Sequence, residues 1–425
     1  MPTSSPVASL SYLTGEMSGI GGVIKQRPEE FLVEEQPLYD LDGEGEHLYL
    51  FIEKCRRTTS DVVRLLAKAF HVRRSDIGYA GLKDKHAIAR QHFSIYLPGD
   101  QDDQQLLGRI TYSGLTLLWA RRHTNKLRRG HLSGNRFVIY IRDVKPTAAL
   151  QTKKVMDRLI ALGIPNFIGP QRFGYRQNND SLGRLLLLGE WQEFLDRMLG
   201  DPEGAASTRV GREAYERGDY FAALEAWPRH LRHDRQALDA LRQGKSKHES
   251  AMHIDEQQRE FLICGLQSAI FNQVLDYRLR HGSFDRLLAG DLAWIHRNRA
   301  VFAVDTATAE LESGSHGRLR TGEISPSGPM WGAKMSCASG EVAKWELQAM
   351  ADQKLTEADF ARNSYVVGRR RPLRIFLKDP DVSGGVDEHG PYVRLALELP
   401  RGAFATTVLR EVMKTDDSQA YQGAP

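Results

Sequence analysis

The alternation of hydrophobic and polar positions predicts strands in the first third of the chain. In "HLYLFIEKC" (47–55), apolar and polar side chains alternate as in a half-buried strand. "NRFVIYIRDV" is the clearest strand, because Phe137 and Ile139 fall on one face. "TTSDVVRLLAKAF" predicts an amphipathic helix, with Thr59 or Ser60 as its cap. Two further segments predict strands: "QHFSIYL" (91–97) and "LTLLWARR" (115–122).

The pattern becomes helical after Pro146. "PTAALQTKKVMDRLIALGIPN" is amphipathic, and "DEQQREFLICGLQSAIFNQVLDYRLRHG" predicts a long helix with acids at its start. "EISPSGPMWGAKMS" is rich in turn residues. Strand patterns return in "RPLRIFLKDPDV" and "YVRLALELP", before a short helix in "FATTVLREVMK". This order predicts an α+β protein in which a mainly helical domain interrupts a sheet domain.

Composition and length favour a soluble two-domain protein of the cytoplasm. The 425 residues exceed one ordinary core. The cysteines Cys55, Cys264 and Cys337 are far apart and odd in number, which favours a reducing compartment. The N-terminal segment lacks the pattern of a signal peptide, and no apolar run approaches the roughly 20 residues that span a bilayer. We therefore expect no membrane association.

Familiar cofactor and metal motifs are missing from the sequence. It contains no GxxxxGK[ST] phosphate loop, no HExxH pair and no GxGxxG that opens a helix after a strand. The 14 histidines are scattered without recognisable ligand spacing. We therefore expect no cofactor and no metal, which leaves a cofactor-free enzyme or a binding protein.

A long basic segment without any acid runs from Gln104 to Arg142. One interpretation is an exposed hairpin whose arginines are merely solvated. The other is a phosphate-binding surface, which the absence of balancing acids and the preference for arginine favour. The same two interpretations apply to a second basic cluster, "GRRRPLR", at 368–374, and a phosphate-binding role is expected there too. The candidate RNA-binding residues lie at the centre of the long segment: Arg121, Arg122, Lys126, Arg128 and Arg129.

The stretch "YAGLKDKHAIARQHFSIYL" places Asp84 between Lys83 and Lys85, just before a predicted strand. Flanking cations favour the ionised carboxylate, which suits a nucleophile better than a general acid. An aspartate in a charged turn is, however, usually a turn residue. The residues alone therefore favour a turn and leave a catalytic role open.

Several segments, in order, resemble motifs of the TruD-type tRNA pseudouridine synthases. "GLKDKHAIARQ" is similar to the signature around the family's catalytic aspartate, and "GGVIKQRPEEFLVEE" to its N-terminal segment, with Glu30 where Asp is commoner. "GEGEHLYLFIEK", "HTNKLRRGHLSGNRFVIYIR" and "IPNFIGPQRFG" resemble further motifs, the last with Ile168 in place of an aromatic residue. "LQSAIFNQVL", "SPSGPMWG" and "LPRGAFATTVLRE" resemble later ones, so the resemblance covers nearly the whole chain.

The resemblance implies an isomerase that converts uridine to pseudouridine in tRNA, at position 13 in the D arm. Some relatives also modify other RNAs. Asp84 would be the nucleophile, acting on the ribose C1′ or assisting departure of the base, with no metal or cofactor. The resemblance also implies a catalytic domain of residues 1–155 and 370–425 with a mixed, largely antiparallel sheet, and an inserted, mainly helical TRUD domain of residues 156–369.

Substrate-binding candidates follow from the same motifs. Phe137 would hold the face of the uracil and Asn135 would shape the pocket, although both also fit ordinary strand positions. Lys25 would pair with the catalytic aspartate, whereas by pattern alone it is a surface lysine. Lys83 could bind phosphate or be solvated, and Tyr79 could line the pocket or the core.

Two other functions fit the same chain. A non-catalytic RNA-binding protein or chaperone on the same fold would need no nucleophile, although the motif around Asp84 is intact. An RNA N-glycosylase with acid–base carboxylates would release free uracil. The resemblance implies tRNA as the partner, with other RNAs open because some relatives modify them, and the sequence shows no evident obligate protein partner.

Overall fold

The structure is a computed structural model that describes residues 9–99, 102–203, 206–363 and 366–415. The first eight residues, on which the signal-peptide expectation partly rests, lie outside this description. Throughout the described ranges, no helix has the length and apolar character needed to cross a membrane.

The described chain contains both strands and helices. The strands are β1 (Phe31–Pro37), β2 (His47–Cys55), β3 (Ile77–Tyr79), β4 (Ile88–Tyr96), β5 (Leu115–His123), β6 (Leu132–Arg142), β7 (Ile164–Pro165), β8 (Leu292–Ile295), β9 (Val301–Ala303), β10 (Ile324–Met330), β11 (Arg369–Pro372), β12 (Arg374–Ile375), β13 (Lys378–Asp387) and β14 (Gly390–Pro400). The α-helices are α1 (Thr59–Phe70), α2 (Asp103–Leu107), α3 (Ala148–Leu162), α4 (Asn179–Leu188), α5 (Trp191–Leu199), α6 (Arg209–Glu216), α7 (Tyr220–Ala226), α8 (Arg232–Arg242), α9 (Lys247–Met252), α10 (Glu256–Arg280), α11 (Thr306–Ser313), α12 (Gly340–Asp352), α13 (Glu357–Ala361) and α14 (Ala405–Met413).

Two compact units divide the chain. The sheet unit comprises Leu13–Ile164 and Ile375–Pro425, and the helical unit comprises Met1–Tyr12 and Pro165–Arg374. The helical unit holds α4 to α13 and a four-stranded antiparallel sheet in the order β11-β10-β8-β9. The turn prediction for "EISPSGPM" is wrong, because this segment forms β10, whose seven residues are all buried.

The sheet unit is built on eight strands in the order β13-β14-β6-β1-β4-β2-β5, with β3 beside β4. Only the β1–β4 pair is parallel among these described pairings. The prediction of an α+β fold with a mixed, largely antiparallel sheet is therefore confirmed. Helices α3 and α14 pack against the side chains of Phe137, Ile139 and Leu397, and α1 packs against Leu50 and Phe93.

Local sequence explains where α1 begins. The Thr58 hydroxyl accepts a hydrogen bond from the Asp61 backbone N–H, and the Asp61 carboxylate accepts one from the Thr58 N–H. This reciprocal pair satisfies two of the free backbone donors at the helix start. The cap is therefore Thr58 and not Thr59 or Ser60, so the predicted start was one or two residues late.

Candidate active site

The segment 81–86, which we call the aspartate loop, joins β3 to β4 and carries Asp84. Lys25 Nζ lies 2.7 Å from Asp84 Oδ2, a distance typical of a charge-assisted hydrogen bond. The Asp84 side chain is 47% exposed, whereas that of Lys25 is only 8% exposed. A largely buried ammonium thus supports a carboxylate that substrate can reach from solvent.

Lys25 adopts a backbone conformation that non-glycine residues rarely take. Its φ is 60°, in the left-handed region. Its ammonium lies 4.3 Å from the centre of the Phe31 ring, within cation–π distance. Strain of this kind persists only where surrounding contacts enforce it, and it is concentrated at functional sites.

Lys54 holds the backbone of the aspartate loop. Its buried ammonium donates hydrogen bonds to the carbonyl oxygens of Arg57 at 2.7 Å, Lys83 at 3.2 Å and Asp84 at 2.6 Å. Burial lowers the pKa of Lys54 to about 8, and the charge of Asp84 opposes that shift. The alternation of β2 contained a signal for this residue, because it places a lysine on the same face as Leu50 and Ile52.

The side chains of Thr59 and Gln91 also hold the aspartate loop by hydrogen bonds. The backbone N–H of Lys83 donates to the Thr59 hydroxyl at 3.0 Å, and that hydroxyl donates to Gln91 Oε1 at 3.1 Å. Gln91 Nε2 in turn donates to the carbonyl of Gly81. The loop is therefore anchored at Gly81 and at Lys83. Gln91 is the last residue of the "GLKDKHAIARQ" motif. Its place in that motif is the one feature of the sequence that indicated a role at the site.

Lys83 turns away from solvent. Its ammonium lies 3.2 Å from the buried Glu35 Oε2 and donates to Asn135 Oδ1. Burial lowers the pKa of Lys83, and Glu35 partly offsets this effect. The structure thus brings Lys83, the neighbour of Asp84 in the chain, together with Asn135. Glu35 was not among the predicted site residues, although it lies in the "EEFLVEE" motif.

Phe137 and Tyr79 both contact other side chains of the protein. Phe137 is 8% exposed and makes an edge-to-face contact with Phe31, at 6.2 Å between ring centres. Tyr79 is half-buried, and its hydroxyl accepts a hydrogen bond from Arg129 Nη2 at 3.0 Å. Their roles in substrate binding stay predictions.

The basic segment does not form a hairpin, so that interpretation is wrong. Strand β5 lies at one end of the sheet order, whereas β6 lies between β1 and β14. The connecting segment 124–131 is held against β4 and the residue after β3: Leu127 N–H donates to the Ser94 hydroxyl at 2.9 Å and Gly130 N–H to the Ala80 carbonyl at 2.8 Å. Its residues therefore border the aspartate loop.

The five candidate RNA-binding side chains differ in their freedom to contact a ligand. Arg122 Nε is hydrogen-bonded to Asp103 at 2.9 Å, and this ion pair raises its pKa. Lys126 donates to the Ser75 carbonyl. Arg121 and Arg128 are exposed, as is Arg129. The exposed arginines are therefore the better candidates for phosphate contacts, and their role in RNA binding stays a prediction.

The second basic cluster is mostly internal. Arg370 is buried against Glu346, with Nη1 to Oε2 at 2.8 Å, and Arg374 is buried with Nε 3.1 Å from the Ser325 hydroxyl. Buried, paired guanidiniums cannot serve as a phosphate surface, so this expectation for 368–374 is wrong for both residues.

In the part of the chain that the structure describes, no three His, Cys, Asp or Glu side chains cluster as metal ligands do. The sheet unit instead presents one accessible carboxylate on an anchored loop. The fold and this loop define an α+β protein with a candidate nucleophilic site.

Comparisons with known proteins identify its family. The family model described as "tRNA pseudouridine synthase D (TruD)" matches residues 8–412. A protein from Geobacter sulfurreducens named tRNA pseudouridine synthase D is 40% identical over 95% of this chain and 96% of its own length. A protein of the same name from Thermus thermophilus is 34% identical, over 97% of this chain and 95% of its own length.

A solved structure agrees with these relatives. The crystal structure of a Methanosarcina mazei protein, described as a candidate tRNA pseudouridine synthase D, matches with a TM-score of 0.81 and 26% identity, over 98% of both chains. The chain therefore belongs to the tRNA pseudouridine synthase D family, and the resemblance found in its motifs is confirmed.

Proposed function

We propose that this chain converts uridine to pseudouridine in tRNA, at position 13 in the D arm, with Asp84 as the nucleophile. One observation carries the proposal. The exposed Asp84 carboxylate lies on an anchored loop, and its Oδ2 is 2.7 Å from Lys25 Nζ. Membership of a family named for tRNA pseudouridine synthesis supports the substrate. The proposal includes a catalytic domain of residues 1–155 and 370–425 and an inserted domain of residues 156–369. These bounds differ from those of the compact units, which change at 164/165 and 374/375 and place Met1–Tyr12 with the helical unit.

The reaction needs only rearrangement within one nucleotide. The bond from uracil N1 to ribose C1′ breaks, while the Asp84 carboxylate attacks C1′ or assists departure of the base through a glycal. The uracil rotates and C5 bonds to C1′. In the first route this displaces the Asp84 carboxylate from C1′; in the second, the C2′ proton lost on forming the glycal returns. C5 then loses its proton and N1 gains one. No atom is added or removed overall, so a single positioned carboxylate and a pocket that retains the loose base suffice.

The supporting residues have separate tasks in this scheme. The uridine must first leave the RNA stack, at a cost of a few kcal/mol. Lys25 stabilises the ionised nucleophile, and Lys54 positions the loop carbonyls behind it. Phe137 and Asn135, two positions apart on β6, would border the base.

The decisive experiment replaces Asp84 and follows pseudouridine formation in tRNA by sequencing-based mapping. Asp84→Ala and Asp84→Asn should abolish the product while affinity for tRNA stays within about twofold. Asp157→Ala is the matched control, because Asp157 is also exposed and pairs with a lysine, Lys153, at 3.3 Å. This control should be fully active.

Other outcomes would point to other functions. Activity that survives Asp84→Ala would refute the nucleophile. Tight tRNA binding by the unmodified chain without any product would indicate an RNA-binding protein or chaperone. Free uracil in the reaction, detected by chromatography, would indicate an N-glycosylase.

A further inference from the structure

A cavity of about 220 Å³ opens on the sheet unit, and its lining residues lie outside the aspartate loop. Ligand pockets commonly measure about 300–1,000 Å³, so this one suits a single planar group and not a large ligand. Its lining combines aromatic side chains with a few polar ones: Pro37, Leu38, Tyr39, Asp40, Leu41, Tyr49, His92, Trp119, Arg121, Leu127 and His131.

Strand register places this cavity and the aspartate loop on opposite faces of the sheet. His92 pairs with Phe51, and Phe51 pairs with Trp119, so these three side chains share a face. Gln91, which holds the aspartate loop, is the neighbour of His92 on β4 and projects to the other face.

The aromatic side chains form a preorganised stacking surface. The Phe51 ring stacks on His92 at 4.4 Å and on Trp119 at 5.3 Å between ring centres. Trp119 is nevertheless 39% exposed. The Tyr39 hydroxyl lies 3.2 Å from that of Tyr49 and 3.1 Å from His131 Nδ1, so hydrogen bonds connect three further residues of the cavity lining.

Charged side chains lie near this aromatic cavity on the same face of the sheet. On the same face of β4, two residues before His92, Arg90 forms ion pairs with Glu34 and Glu53, each at 2.9 Å. An exposed aromatic group within a charged face is typical of a binding site and not of a core.

Arg121 supplies an exposed cation at this cavity. It lies opposite Tyr49 in the strand register, and its Nη2 would be 3.4 Å from a Cβ placed on Gly43. Gly43 has a φ of +93°, so a glycine is required there and leaves room for the guanidinium. An arginine beside stacked aromatic rings matches the chemistry of a nucleotide, with a base and a phosphate.

The segment 124–131 connects the cavity to the reaction site. Leu127 and His131 line the cavity, while Gly130 N–H bonds to Ala80, the residue just before the aspartate loop. Between them, Arg128 and Arg129 are exposed. An RNA strand that follows these two arginines around the sheet edge would reach both faces.

We propose that this cavity binds an unpaired base of the RNA substrate, which stacks on Trp119 while Arg121 contacts an adjacent phosphate. The inference rests on the proposed function, because it assumes that RNA is the substrate. Asp40 and His131 line the same cavity and offer polar atoms to the base edge. The site would add affinity and substrate selection remote from the reacting uridine.

The first test compares Trp119→Ala with Trp119→Phe in the full chain, using unmodified substrate tRNA. Stacking of a base on an aromatic side chain is worth enough that alanine substitution weakens binding roughly 5- to 150-fold. We expect Trp119→Ala to raise KM about tenfold with little change in kcat, and Trp119→Phe to restore most of the loss. Leu118→Ala is the control, since the adjacent Leu118 is 41% exposed and lies outside the described cavity lining.

A second measurement separates binding from folding. Ultraviolet crosslinking of tRNA to the unmodified chain, followed by mass spectrometry, should identify a peptide containing Trp119 or Tyr39. Arg121→Gln should weaken binding and lower the slope of log affinity against log salt by about one.

The outcomes also distinguish this inference from the proposed function. If the unmodified chain forms no pseudouridine, the proposed function fails. If it forms pseudouridine but Trp119→Ala behaves like Leu118→Ala, the cavity inference is overturned. Equal losses in Trp119→Ala and Trp119→Phe, with lower melting temperatures and no crosslink at the cavity, would also overturn it.

Discussion

Lys25 combines an unfavourable backbone with a favourable charge. The left-handed conformation costs an L-residue roughly 1–2 kcal/mol, whereas glycine adopts it readily. At a φ of 60° a glycine would suit the backbone of residue 25 better, whereas the ion pair with Asp84 requires the lysine ammonium. The two requirements can be measured separately with two small substitutions at one position.

We predict that Lys25→Gly and Lys25→Ala lower kcat equally, by about 10- to 100-fold, because both lack the ammonium that supports Asp84. Lys25→Ala should in addition be about 1 kcal/mol less stable, since only alanine keeps the strain. Steady-state kinetics and urea unfolding report the two effects. Unequal kcat values that follow stability would mean that Lys25 acts only through folding.

The conformation of the aspartate loop should depend on pH, because the buried Lys54 ammonium holds its backbone. Lys54 has three carbonyl partners, and a protonated ammonium has three N–H donors. Because burial lowers its pKa to about 8, the proton is lost in a range that assays can reach. A neutral amine has two donors, so one of the three carbonyls, two of which belong to the aspartate loop, then loses its partner.

We predict that kcat falls as pH rises through about 8, the pKa of Lys54. Lys54→Gln should have a low, flat profile between about pH 7 and 9, because a glutamine has two donors and does not titrate. Lys68→Gln, an exposed lysine on α1, should keep the unmodified profile. A step near pH 8 that persists in Lys54→Gln would assign it to another group.

The same group has the opposite effect on stability. Below pH 8, Lys54 is charged in both the folded and unfolded chain, so it contributes no pH dependence there. Between about 8 and its ordinary value of 10.5, the unfolded chain binds more protons, and the free energy of unfolding therefore rises with pH. Loop order and global stability should thus diverge above pH 8.

Elements with one buried face were predictable, and contacts between distant elements were not. Strand β2 has the predicted bounds, because alternation along the chain reports burial directly. Strand β10 was missed, because all of its residues are buried and its Pro and Gly residues suggest turns. The contacts of Lys54 with the aspartate loop join residues about 30 positions apart, and periodicity contains no information on such pairs.

For the whole molecule, the local distribution of charged residues matters more than the net charge. The formal net charge is only +4, so long-range attraction of RNA is modest and local phosphate contacts must supply the affinity. Sequence counting treated every arginine of the basic segment alike. The structure separates them into exposed side chains, such as Arg128, and paired ones, such as Arg122 with Asp103.

This difference yields a paired prediction. Arg128→Gln should weaken tRNA binding and lower the slope of log affinity against log salt by about 0.7 to 0.9, the value for one phosphate contact. Arg122→Gln should leave that slope unchanged and lower stability, because it leaves Asp103 without its partner. Titrations of tRNA at four salt concentrations, with melting curves for both variants, measure these effects. Equal slopes for Arg128→Gln and the unmodified chain would show that exposure alone does not mark the RNA-binding surface.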